Sequence, residues 1–224
     1  MLFRSLKEKN FLLEKFYGEK PVKIEWEVLH GQPARVLLNA ARSADLLCIG
    51  SLGIAHATGF RLGSTAATLA TSALCPVAVV QSGGPHRSTQ PRHVVVEIDE
   101  SPDSVHALDA GITEARLRGA PLTVLATWQK KLPDVQEHIP DEKTRARLDK
   151  RLARYRLANP DIDFDPVAIN GSTMNYLERH TDSIQLLVIN RNRRHGVADI
   201  AGSGRGVSSQ VNCTVLICQQ NQRL

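Results

Sequence analysis

In this 224-residue chain the residues best spaced to do chemistry lie between Gly50 and Val80. Gly50-Ser51-Leu52-Gly53 is followed, nine residues on, by Gly63-Ser64 and then by a run of small residues, TAATLATSAL. Glycines in a strand-to-helix turn let backbone N–H groups approach a ligand, and the first N–H groups of a helix have no internal acceptor. A helix opening at Gly63-Ser64 is therefore a candidate anion site, with the Ser64 hydroxyl as cap and phosphate donor. A polyphosphate suits that set of donors. Small-residue packing of a helix on a sheet has the same composition, and spacing alone leaves both readings open. His56 falls in the same loop, where a solvent-facing histidine is the simpler reading.

Other candidate chemistry is sparse. Asp99 and Glu100 end a strand-like run and would hold a metal or polarise a water only with a converging carboxylate, which nothing in the sequence indicates. Ser101-Pro102-Asp103 reads as a helix-capping turn. The eight histidines are scattered, and Cys48, Cys75, Cys213 and Cys218 lie in or beside apolar runs without metal-ligand spacing, so buried reduced thiols are expected. No metal and no catalytic residue is expected, and the chain does not read as an enzyme. Of the net charge of +5, much comes from residues 141–156, with seven Lys or Arg against three acids. That run reads as the solvated face of a helix, and nucleic acid is not an expected partner. No stretch reaches the roughly 18 apolar residues of a membrane span, and charges throughout MLFRSLKEKNFLLEKF argue against a secretory signal. The expected location is cytoplasmic.

These residues must be positioned by strands and helices that alternate. VKIEWEVL, PARVLLNAARSA, DLLCIG, GSTAATLATSAL and PVAVV come first, and SGGPHRSTQPR reads as a linker. The alternation restarts with RHVVVEID, a helix from about Ser104 to Arg118, PLTVLATW, and a charged helix from about Asp141 to Leu157. DIDFDPVAI, a short helix near Thr173 to Arg179, QLLVIN and CTVLICQ complete it. Buried strands alternating with helices predict parallel βαβ units. The halves also repeat: HGQPARVLLNAARSADLLCIG, from His30, aligns without a gap on NGSTMNYLERHTDSIQLLVIN, from Asn170, and Cys75-Pro-Val matches Cys213-Thr-Val. The expected organisation is an incomplete first domain over 1–81, a linker over 82–91 and a complete second domain over 92–224.

Strand, Gly50-x-x-Gly53, nine residues, Gly63-Ser64, a small-residue helix and Cys75-Pro76-Val77-Ala78-Val79-Val80 together resemble the closing signature of the universal stress protein (UspA-like) family. HVVVEIDESPDSVHALDAGITEARLRGAPLTVLATW resembles the family's opening strand, helix and second strand. The resemblance covers nearly the whole chain, as a tandem pair whose first member is incomplete. It implies two Rossmann-like, adenine-nucleotide alpha hydrolase-like open parallel sheets, the first lacking its opening strands. It further implies ATP, with which Mg can bind, held by Gly50, Ser51, Gly53, Gly63 and Ser64, with Asp99 lining the adenosine part of a pocket. A regulatory role in stress response is implied. It also implies docking of the halves as a pseudo-dimer through PVAVV and TVLIC, and leaves an uncovered edge open to homodimerisation.

The second half departs from the pattern. Asn190 and Arg193 stand where the first half has Gly50 and Gly53, and the interval to Gly202-Ser203 is one residue short. A phosphate cradle is not expected there, and its arginines read as a solvated loop. The intact loop and Asp99 thus fall in different halves, which supports an alternative reading: a non-nucleotide interaction module that docks a partner.

Overall fold

The computed structural model describes residues 23, 25, 27–51, 63–80, 92–99, 101–128, 142–193, 196–197 and 213–219. The chain divides into compact units over residues 1–32 and 33–224. In the first unit the described residues carry no helix or strand; Lys23 pairs with Glu25 at 2.5 Å, and Val28 and Leu29 are exposed. The strand expected at VKIEWEVL is therefore absent at residues 23, 25 and 27–29. Its counterpart in the second half, the strand Phe164–Asn170, pairs in parallel with Leu122–Trp128.

The second unit is α/β. Its strands are β1 (Leu47–Gly50), β2 (Val77–Val80), β3 (His93–Ile98), β4 (Leu122–Trp128), β5 (Phe164–Asn170), β6 (Ile184–Asn190) and β7 (Thr214–Cys218). Its helices are α1 (Pro33–Ala40), α2 (Ser64–Ser72), α3 (Ser104–Arg118), α4 (Glu142–Ala158) and α5 (Thr173–Arg179). The two open sheets join through PVAVV and TVLIC, as the resemblance implied, and the described strands form one seven-stranded sheet in the order β1-β2-β7-β6-β3-β4-β5. All ladders are parallel except β2·β7, which is antiparallel and joins the halves.

The strands follow from composition. Val94–Ile98 is buried throughout, as a β-branched strand covered on both faces must be. One face packs Val94, Val96, Leu122, Val124, Leu186 and Val188 under α3 and α4. Gly111 lets α3 come close, since a Cβ there would stand 3.1 Å from Val96 Cβ. The highly charged α4 buries Leu148 and Leu152 while Arg145, Arg147, Lys150 and Arg154 face solvent, the face its composition predicted. The opposite face packs Val95, Leu125, Leu187, Ile189, Val77 and Val79 with α2 and α5.

The repeat read in the sequence recurs in the backbone. Gly31 and Gly171 both take φ near +130° (136° and 132°), a conformation that favours glycine, just ahead of α1 and α5. Short 3-10 turns follow at Ala41–Ser43 and Thr181–Ser183. Gly50 pairs with Val80 as Asn190 pairs with Cys218. In the β2·β7 ladder, Ala78 faces Leu216, flanked by Val77 with Ile217 and Val79 with Val215. Under the repeat, Ala78 and Leu216 are equivalent and the flanking pairs exchange, so a pseudo-twofold axis passes through Ala78 and Leu216. That is an isologous interface inside one chain.

Because this ladder carries core on both faces, the halves should unfold together. Leu216→Ala leaves a cavity beside the axis, and a loss of about 2–5 kcal/mol is expected from denaturant titration, still in one transition. Two separated transitions in the parent chain would contradict a shared sheet.

Candidate functional site

The glycine loop of the first half is tied at its base. Past the end of β1, the Ser51 N–H donates to the Val80 carbonyl at 3.0 Å, and the Ser51 carbonyl accepts from Gly63 N–H at 3.1 Å. Gly53 and His56, within the loop, lie outside the described residues. Gly50 is extended and ladder-paired, and Gly63 has φ −55° and ψ 149°, so neither uses the positive φ that glycine permits. What Gly63 contributes is the lack of a side chain at the N-cap of α2.

No side chain among the described residues caps that helix. Its first internal bond runs from Ala67 N–H to the Gly63 carbonyl at 2.9 Å, which leaves the N–H groups of Ser64, Thr65 and Ala66 without helical acceptors. Ser64 is exposed at the opening. Ser51 continues the alternation of Leu47 and Ile49, on the face where α2 packs. It is only 4% exposed, and its hydroxyl has no hydrogen-bond partner among the described residues. A buried hydroxyl without a partner costs about 1–3 kcal/mol, so an acceptor or donor supplied from outside would be stabilising here.

Asp99 is not brought to this place. Three strands separate β1 from β3, which puts them about 19 Å apart across the sheet at about 4.8 Å per step. Since β2·β7 is antiparallel, the carboxyl end of β3 also opens on the opposite edge of the sheet from that of β1. Gly50, Ser51, Gly63 and Ser64 are gathered at one edge, and Asp99 stands at the other. There its carboxylate accepts from Ser104 Oγ at 2.5 Å and Ser101 N–H at 2.9 Å, in the turn that starts α3, while Arg151 donates to its carbonyl at 2.5 Å. Burial pushes the Asp99 carboxyl up, but the Ser104 and Ser101 hydrogen bonds and the Arg151 charge outweigh it and hold the group below the usual carboxylate range.

The second-half loop corrects the expectation of solvated arginines. Arg193, 6% exposed, donates through Nε and Nη2 to Glu97 Oε1 at 3.1 and 2.8 Å, and through Nη1 to the Gly196 carbonyl at 2.6 Å. Asn190 is buried too: its Nδ2 donates to the Asp103 carbonyl at 2.7 Å and its Oδ1 accepts from Asn192 N–H at 2.6 Å. Asn192 Nδ2 reaches Asp103 Oδ2 at 3.0 Å. Side chains that replace the two glycines thus bond to β3 and the β3–α3 turn. Glu97 is the residue that pattern reading passed over. An acid inside VVVEI was the signal, because a carboxylate in a buried strand demands a cation.

Arg191 joins this loop to the first half by donating to the carbonyl of Ala73, at the C-terminal end of α2. Burial pulls its guanidinium below the usual arginine range, opposed by the nearby Cys75 thiol. Cys75, Cys213 and Cys218 are buried as expected, and burial pushes the latter two thiols up to about 12; Cys48, expected buried, is exposed. Among the described residues no group of three His, Cys, Asp or Glu could hold a metal.

Arg193→Ala would strand a buried Glu97, and a loss of about 3–5 kcal/mol is expected in urea titration, with the Glu97→Leu/Arg193→Met pair recovering most of it. Asp99, with its depressed folded value, contributes stability above the ordinary carboxylate range that is lost as pH falls through that folded value. Asp99→Asn should therefore lower stability at neutral pH and flatten its decline below about pH 4.

The chain matches the model of the universal stress protein family over residues 4–81 and 91–219. A universal stress protein of Mycobacterium tuberculosis (strain CDC 1551 / Oshkosh) is 35% identical over 207 residues, which cover 91% of this chain and 71% of the relative. A second from that strain is 39% identical over 178 residues, covering 79% of this chain and 64% of the relative. Among solved structures, a universal stress protein from Archaeoglobus fulgidus DSM 4304 shares the fold, with a TM-score of 0.61 at 15% identity over 98% of this chain and 80% of that one. The same motif is used twice about one pseudo-twofold axis, and one family model matches both uses: the chain belongs to the universal stress protein family.

Proposed function

We propose that the first half binds one adenine nucleotide per chain, ATP with its Mg, and that the protein regulates a stress response by occupancy and not by turnover. The observation that carries this is the buried, unpartnered Ser51 hydroxyl on the same face as the uncapped start of α2. Phosphate oxygens accept from the N–H groups of Ser64, Thr65 and Ala66 and from the Ser51 and Ser64 hydroxyls, and the positive end of the helix dipole favours their charge. Gly53, expected in the same cradle, lies outside the described residues. Asp99 holds the turn ahead of α3 in this reading and does not touch the nucleotide. The second half is closed to phosphate by Asn190 and Arg193. No helix among the described residues is long and apolar enough to cross a membrane, and a cytoplasmic location fits the proposal. The alternative, a docking module independent of nucleotide, is favoured by the exposed residues along β1.

Calorimetric titration of nucleotide-stripped protein with ATP tests the assignment. Binding on the order of micromolar, about −8 kcal/mol, with one site per chain is expected. Gly63→Asp supplies the preferred N-cap and should leave stability equal or higher, yet puts a negative charge where phosphate sits and should abolish binding. Asp99→Asn should leave affinity unchanged. An unaltered affinity in folded Gly63→Asp would refute the site.

A further inference from the structure

The second half holds its cations in two ways. Arg116 pairs with Asp161 at 2.6 Å, Arg156 with Asp149 at 3.1 Å, Arg193 with Glu97 at 2.8 Å, and Arg118 with Glu114. On α4, Arg145, Arg147, Lys150 and Arg154 are exposed, and among the described residues none of the four pairs with an acid. Three of them form a row. At about 100° per residue, Lys150 stands opposite the buried Leu148 and Leu152, with Arg147 and Arg154 about 60° and 40° to one side of it. The row spans about 10 Å of helix. The Arg154 guanidinium lies 4.8 Å from the Tyr155 ring centroid, and the exposed Ala146 and Ala153 flank the row. Leu157, 85% exposed, falls about 20° from Lys150 in the same projection and ends the row.

Leu157 has a companion on the neighbouring helix. Helices α3 and α4 each join parallel strands and share one core layer through Leu108, Ile112, Leu148 and Leu152, so they run side by side in the same direction. Leu117, 74% exposed, is the second-last residue of α3, as Leu157 is of α4. Arg116 ties the two helix ends together, donating through Nη2 to Asn159 Oδ1 at 2.8 Å and through Nε to Asp161 Oδ2 at 2.6 Å. Leu117 and Leu157 are the large apolar side chains exposed in the second half among the described residues. The acids at this corner are already held, Glu114 by Arg118, Asp161 by Arg116 and Asp149 by Arg156. Two leucines and an unpaired row of cations are left facing outward.

We infer that this face of α3 and α4 docks on an anionic phospholipid surface, with the α4 cations on the headgroups and Leu117 and Leu157 dipping into the interface. Charge attraction and apolar anchoring are the two contributions that hold a peripheral protein on a bilayer, and both occur here together. The apolar side of α4 is committed to the core, so the helix binds as part of the folded layer and nothing spans the membrane. Leucine is under-represented among the residues that anchor one protein on another, whereas a leucine projecting from a helix end suits a fluid that closes around it. A single nucleic-acid strand needs stacking platforms, and the aromatic beside the row, Tyr155, is half-buried against Arg154. A duplex would take the cations by phosphate contact and leave the leucines in water. The net charge of +5 adds attraction at a distance. The charged run, read from sequence as a solvated face, thereby gains a partner, and its docking does not depend on nucleotide.

Co-sedimentation of the full chain with vesicles tests this. Vesicles of phosphatidylcholine with an equal part of phosphatidylglycerol should carry the protein down, while phosphatidylcholine alone should not. The bound fraction should fall as salt rises from about 0.01 M to about 1 M. Arg147→Glu/Lys150→Glu/Arg154→Glu should weaken partitioning about 100-fold or more, and Leu117→Ser/Leu157→Ser about tenfold for each leucine. The changed side chains are exposed, so both variants should keep the parent circular dichroism spectrum. Lys150→Gln/Leu157→Ala, a milder change, should give a smaller loss in the same direction and serves if either variant fails to fold. Absence of sedimentation with the anionic vesicles overturns the inference. In that case a shift of labelled duplex DNA that the charge reversal abolishes would assign the row to nucleic acid. Sedimentation undiminished in either the charge or the leucine variant overturns it equally, by placing the contact elsewhere.

Discussion

The antiparallel ladder between β2 and β7 is the contact on which the rest of the molecule depends. It makes one sheet from two motifs and closes both core layers across the junction. It also fixes direction. Strands on its two sides run oppositely, so the carboxyl ends where α/β sheets place their ligands open on opposite edges of the sheet. Two halves of one chain therefore cannot pool residues into a single strand-end site, however well each half matches its part of a motif.

Within that constraint the halves have diverged in how they treat the strand-to-helix loop. In the second, Arg193 and Glu97 make a buried pair and Asn190 bridges to Asp103, so the loop is bonded to its own sheet. Removing two charges from water is costly, and a pair of this kind adds little net stability compared with apolar packing; its effect is to fix one arrangement of the loop. In the first half the corresponding positions are glycine, and the helix start and the Ser51 hydroxyl have no such partners among the described residues. The same polar geometry is satisfied internally in the second half and lacks such partners among the described residues of the first.

Helix α2 belongs to both stories. Its amino end is the candidate phosphate site, and its carboxyl end accepts a hydrogen bond from Arg191, two residues from Arg193 in the closed loop. A cation at that end complements the helix dipole, as an anion would at the other. The nine-residue helix thus runs from the end of the first-half loop to the bonded loop of the second half.

Much was legible in the sequence because it depends on local periodicity. Alternating β-branched and helical runs gave α3 at Ser104–Arg118 and α5 at Thr173–Arg179 with the bounds expected, and placed every strand of the seven. The gapless repeat announced the pseudo-symmetry, and the glycine spacing marked the start of α2. What periodicity does not carry is which strands meet and in which direction. VKIEWEVL has strand composition, yet the described part of it forms no strand. Asp99 sits in a motif whose companions are elsewhere, and only strand order shows that they lie on the other edge. Glu97 and Arg193, 96 residues apart, became partners through the fold alone. The sequence by itself determined the elements, the repeat and the chemistry on offer, since each depends on residues within a few positions of one another. Tertiary structure decided which of those groups are buried, paired or left facing solvent, because burial is set by what the rest of the chain packs against them.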